Sequence, residues 1–231
     1  MKTVGIIGGL GPESTVVYYR SIITLYREQK QDGSYPSIIL NSVDMHKVRD
    51  LIERSEYVQV AKYLADEGQR LARAGADFGL LAANTPHLVF DEVQRQCSIP
   101  LLSIVQATCD AAKELKLTRL ALFGTRFTMQ GRFFSDVFSR EGVALIAPTP
   151  DEQTYIHGKY FDELVEGIVL PETREGLLQI ADRMKQREGI DGLILGGTEL
   201  SLILPDATAC GIPVLDTTQI HVKSAVARLL S

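Results

Sequence analysis

The sequence predicts an α/β protein built as two pseudo-symmetric parallel-sheet α/β domains of four strands each, and three observations carry that prediction. Short apolar runs alternate with longer segments of helical period, glycine-rich loops follow several of the runs, and the chain repeats itself once at about half its length. Strands that alternate with helices form parallel sheets covered on both faces, because each crossover must span the sheet.

The strand-like runs, in order, are Val4–Ile7, Ser37–Ser42, Phe78–Ala82, Leu101–Ile104, Leu120–Phe123, Ala144–Ala147, Gly192–Leu195 and Val214–Leu215. Between them, apolar residues three and four apart predict helices over Ser14–Lys30, Glu56–Ala74 and Glu172–Arg187. Pro12 suits a first helical position, where its missing N–H costs nothing. Eight strands could close one barrel, but the repeat points to two halves. Lys2–Gly9 aligns with Thr118–Thr125 at an offset of 116, Ala74–Asp77 with Glu188–Asp191 at 114, and Ile99–Leu102 with Ile212–Leu215 at 113. The expected domains are residues 1–104 with 213–231, and residues 105–212.

Composition narrows the function. With 231 residues, 45% of them hydrophobic and 23% charged, and 19 glycines, the chain is neither disordered, collagen-like nor a disulfide scaffold. A net charge of −5 and a pI near 5.4 argue against nucleic acid and anionic membranes as partners. No stretch approaches the roughly 18–20 apolar residues of a membrane span, and Met1–Gly9, a short apolar run broken by glycines, is not expected to act as a secretory leader. Cys97, Cys109 and Cys210 are an odd, scattered set without metal-ligand spacing. They are expected as fillers of core or surface in a soluble, cytoplasmic protein.

In parallel sheets, ligands bind beyond the carboxyl ends of strands. The loops there are Gly8-Gly9-Leu10-Gly11-Pro12-Glu13-Ser14-Thr15, Ala83-Asn84-Thr85-Pro86-His87, Gly124-Thr125-Arg126-Phe127-Thr128-Met129 and Gly196-Gly197-Thr198-Glu199. Matched loops of Gly, Thr and Asn in the two halves predict a polar cleft between them, with hydroxyls, amides and helix N-termini offered to an anion. Gly9-x-Gly11-x-x-Ser14 imitates a dinucleotide fingerprint, but its third glycine is serine and Asp44 lies 33 positions beyond Gly11. Phosphate-loop, zinc and serine-elbow motifs are absent from the sequence.

Those four loops, with Asp216-Thr217-Thr218-Gln219-Ile220-His221, together resemble the aspartate/glutamate racemase superfamily over about Lys2 to the end of the chain. The resemblance is nearest to its bacterial broad-range branch. It implies two α/β domains, a homodimer, an amino-acid or carboxylate ligand between the domains, and proton transfer at the amino-acid α-carbon without pyridoxal phosphate or any other cofactor. It further implies a cysteine before Asn-Thr and another before Thr-Glu. Here those positions hold Ala83 and Gly197, neither of which can carry a proton.

His87 is the candidate substitute base, since an imidazole titrates near neutrality; its alternative is a capping or packing role. Gly9, Ser14, Asn84, Thr85, Thr125, Thr128 and Thr198 are candidate substrate contacts, most simply for a carboxylate, with strand-end and cap duty as the alternative. Glu199 could meet a substrate ammonium, or simply favour a helix N-terminus, and Glu13 has the same two roles open. The basic residues expected for a second substrate carboxylate are displaced: Lys47 and Arg49 follow strand two out of place, and 161–166 is acidic. Three functions remain: an amino-acid racemase with an unconventional base, a binding relative without turnover, or a carbanion-type decarboxylase or lyase.

Overall fold

A computed structural model describes residues 2–231. The first unit comprises residues up to Ile104 together with Thr218–Ser231, and the second Val105–Thr217. In the first lie β1 (Thr3–Gly8), α1 (Pro12–Lys30), β2 (Ser37–Ser42), α2 (Met45–Glu53), α3 (Tyr57–Arg73), β3 (Phe78–Leu81), a 3-10 turn over Thr85–Val89, α4 (Phe90–Gln96) and β4 (Leu101–Leu102). The second holds α5 (Ile104–Glu114), β5 (Arg119–Gly124), α6 (Arg126–Gln130), α7 (Arg132–Arg140), β6 (Ala144–Ile146), α8 (Pro150–Lys159), a π-helical turn over Tyr160–Leu164, α9 (Pro171–Glu188), β7 (Gly192–Gly196), α10 (Leu200–Ile203), β8 (Thr208–Ala209) and β9 (Ile212–Asp216). The last helix, α11 (Thr217–Leu230), returns to the first unit.

The first sheet runs β2-β1-β3-β4, all parallel. The second runs β6-β5-β7-β9-β8, whose first four strands repeat that order in parallel. The expectation of four strands per sheet is corrected in the second, where β8 adds an antiparallel edge. Two residues are too few to produce an apolar period. The expected domain boundary at 212/213 is also corrected. Strand β9 pairs with β7, so the chain leaves the second unit only at Thr217.

Apolar periodicity explains each core. On α1, Tyr18, Ile22 and Tyr26 recur every fourth residue and bury one stripe. That stripe packs with Val4 and Ile6 of β1, Phe78 and Leu80 of β3, and Val222, Ala225, Val226 and Leu229 of α11. Gly5 alternates to the opposite face, where a Cβ would meet Leu71 of α3 at 3.0 Å. The first sheet is thus covered on both faces, as a parallel sheet requires. In the second unit, Leu177, Ile180, Ala181 and Met184 of α9 pack against Leu193 and Leu195 of β7 and Ala121 and Phe123 of β5.

Candidate functional site

The strand-end loops are built largely by their own hydrogen bonds. In the first unit the β1 loop doubles back tightly: Gly9 takes φ 77°, and a Cβ there would stand 2.6 Å from Ser42 Oγ. The Gly9 N–H donates to Thr15 Oγ1 at 2.8 Å, and Ser14 Oγ donates to the Ala82 carbonyl at 2.7 Å. The loops after β1 and β3 are therefore tied together, bringing Gly9, Ser14, Ala83, Asn84 and His87 to one end of the sheet.

His87 is not placed as a base. Its ring is 3% exposed and stacks on Phe90. Nδ1 donates to the Ala83 carbonyl at 2.9 Å, and Nε2 accepts the Ile104 N–H at 3.1 Å. Burial, assisted by the neighbouring His221, pulls its pKa down to about 3, so the ring is neutral with both nitrogens committed to backbone. This corrects the substitute-base expectation in favour of the packing role.

His221, from the C-terminal motif, holds the same region together. Its Nδ1 accepts from the Tyr18 hydroxyl at 2.8 Å and its Nε2 donates to the Leu102 carbonyl at 3.0 Å. Burial lowers its pKa to about 4. Buried polar rings persist only when both nitrogens are satisfied, and here they are.

In the second unit, Thr125 is the N-cap of α6 and accepts the Thr128 N–H through its side chain. Thr128 is fully buried and its hydroxyl lies 3.2 Å from that of Thr125. After β7, Thr198 Oγ1 donates to Glu199 Oε2 at 2.7 Å, and the same carboxylate receives the Tyr160 hydroxyl. A Cβ at Gly197 would stand 2.5 Å from Tyr160 Cε2 and 3.1 Å from its hydroxyl, so the tyrosine ring fills the space beside that glycine.

Tyr160 is the principal residue that the sequence reading missed. It sits one position before the acidic stretch 161–166, and its signal was only proximity to that stretch. Within the stretch, Glu163 is paired with Lys159 and accepts from Thr173 Oγ1 at 2.5 Å. The cations expected after β2 are engaged elsewhere: Lys47 lies 4.1 Å above the Tyr63 ring and Arg49 pairs with Glu53 at 3.5 Å. Asp44 caps α2 by accepting from His46 and Lys47 N–H groups.

All three cysteines have thiol pKa values raised by burial, that of Cys109 to about 11, so none is an activated thiolate. Cys97 packs onto α3, its sulfur against the face of Gly68. Among the described residues, no group of three or more His, Cys, Asp and Glu side chains could hold a metal ion. No described helix is long and apolar enough to cross a membrane.

A family model described as Asp/Glu/hydantoin racemase matches residues 7–225. The broad-specificity amino-acid racemase RacX of Bacillus subtilis is 24% identical over 99% of this chain and 98% of its own. Among solved structures, a Yersinia pestis protein described as a candidate Asp/Glu racemase superposes with a TM-score of 0.93 at 31% identity, covering all of both chains. An aspartate racemase homologue from Pyrococcus horikoshii superposes with a TM-score of 0.88 at 32% identity, again over all of both chains.

Proposed function

Because the chain belongs to the Asp/Glu/hydantoin racemase family, we propose that it acts on the α-carbon of an amino acid or closely related carboxylate by cofactor-independent proton transfer. The observation that carries this reading is the recurrence of polar loops at the carboxyl ends of two neighbouring strands in each sheet, β1 and β3 in the first and β5 and β7 in the second. Neighbouring strand ends in parallel sheets are where α/β proteins gather ligand groups. Asn84 and Thr85 in the first unit, and Thr198 in the second, are the proposed contacts for substrate polar groups. Gly9, Ser14, Thr125 and Thr128 shape those loops. We place the protein in the cytoplasm as a homodimer by the same family reasoning.

A second reading, a binding relative without turnover, has its own support. Residue 83 offers only a methyl group, residue 197 no side chain, and the His87 ring nitrogens are spent. Proton NMR of L-amino acids incubated with the protein in D2O separates the two. Loss of an α-proton signal is expected under proton transfer. Ligand-induced thermal stabilisation without any loss would leave only binding.

A further inference from the structure

Tyr160 is a bulky polar group delivered to the end of β7 by an unusual piece of backbone. Helix α8 ends at Lys159 and continues as a π-helical turn over Tyr160–Leu164. Such widened turns are rare, and they occur frequently at functional sites. The turn brings the Tyr160 ring over Gly197, where any side chain would collide with it. The hydroxyl donates to Glu199, and Thr198 donates to the same oxygen. Tyr160 retains 7% and Glu199 9% of its exposure, and the Tyr160 ring is part of the buried cluster of the second unit, so the pair is withdrawn from bulk water.

We propose that Tyr160 and Glu199 form a proton-transfer dyad that exchanges the substrate α-proton on one face only. This rests on the α-carbon reading above. In the step, the Cα–H bond breaks and its proton joins Tyr160 Oη while the phenolic proton moves to Glu199. The electron pair stays on the substrate, delocalised into its carboxylate, and Glu199 becomes a neutral carboxylic acid. Reversal returns a proton by the same route to the same face. Burial, then the Glu199 charge, keep the phenol pKa well above its usual value, so Tyr160 rests protonated with a proton to pass on. Thr198 fixes the carboxylate that receives it. In the first unit, residue 83 has only a methyl group and the His87 nitrogens are bound to backbone, so neither of these two residues supplies a second acid–base group. A single acid–base group gives exchange with retention of configuration, whereas racemisation needs delivery from the opposite face.

The test follows α-proton loss by NMR in D2O for each proteinogenic L-amino acid, together with chiral chromatography of the recovered substrate. Wild-type protein, Tyr160→Phe and Glu199→Gln are compared, with folding checked by circular dichroism and binding by calorimetry. Exchange with retention in the wild type, reduced about 10²-fold or more in both variants at similar substrate affinity, is the expected result. Full exchange in Tyr160→Phe overturns the dyad and leaves the α-carbon reading standing. Inversion at the rate of exchange in the wild type overturns the one-face mechanism alone. Binding without exchange in the wild type overturns the α-carbon reading and the dyad with it. If Tyr160→Phe does not fold, Glu199→Gln, which keeps the ring in place, decides by the same criteria.

Discussion

Asp77 and Asp191 hold equivalent places in the two halves and grip the start of the first strand in each. Asp77 Oδ2 accepts the Thr3 N–H at 2.6 Å. Asp191 accepts from the Thr118 and Arg119 N–H groups at 2.8 and 2.9 Å, and from Thr118 Oγ1 at 2.7 Å. Each carboxylate sits just before the third strand of its sheet, so it locks a loop to a neighbouring strand end.

The second half relies more heavily on this contact. Burial would raise the Asp191 pKa, but its N–H and hydroxyl donors more than offset that and leave the pKa below the usual value. Asp191→Ala is expected to cost about 1–3 kcal/mol, and Asp77→Ala less, because among the described residues one donor loses its partner there. Urea denaturation of the two variants checks the order; an equal or reversed cost would refute the difference.

Gly197 is predicted to resist enlargement. Gly197→Cys should destabilise the fold by about 1–3 kcal/mol, since the new side chain and the Tyr160 ring cannot share the space. Combining it with Tyr160→Ala should recover part of that loss. Thermal melts of the single and double variants measure the coupling, and strict additivity would show that the two positions do not compete.

Gly9 and Gly33 separate backbone strain from crowding. Both take positive φ, 77° and 80°, but a Cβ on Gly33 meets open space whereas one on Gly9 meets Ser42 and Val43. Alanine at either site incurs about 1–2 kcal/mol for the left-handed backbone. Gly9→Ala should cost clearly more than Gly33→Ala, and equal midpoints in denaturant would remove the argument for a crowded loop.

Buried histidines predict acid sensitivity. Unfolded His87 and His221 protonate near pH 6.5, while the folded rings stay neutral until about pH 3 and 4. Between those values the unfolded chain binds more protons, so stability is intact above about pH 6.5 and falls as pH drops. Each histidine contributes up to about 1.4 kcal/mol per pH unit in that window. Denaturation between pH 7 and 5, above most carboxylate titration, should show this slope. His221→Gln should flatten it, and an unchanged slope would count against the buried neutral ring.

Much of the fold was legible in the chain. All eight strand-like runs became strands, because continuous Val, Ile and Leu runs between turn residues have few other ways to bury themselves. The sequence offset of 114 alone sets Asp77 over Asp191, and the first four strands of the second sheet repeat the order of the first. Strand β8 and the change of unit at Thr217 were not legible, since two-residue pairing and sheet membership are settled by partners distant in sequence.

The candidate site divides along the same line. Which residues occupy the strand-end loops follows from local pattern: apolar run, glycine turn, polar helix start. What each side chain does there depends on neighbours that the pattern does not name. His87 could be a base or a packing ring by its place in the sequence, and the structure commits its two nitrogens to the Ala83 carbonyl and the Ile104 N–H. Tyr160 carried no signal of its own until a π-helical turn laid its ring over Gly197 and its hydroxyl on Glu199, 39 residues away in sequence. By itself the sequence determined the eight strand-like runs, the long helices, the repeat and the family, because those rest on short-range periodicity and turn chemistry. Only the tertiary structure decided which polar groups are satisfied and which remain able to react, because hydrogen bonding and desolvation are set by atoms brought together from distant segments.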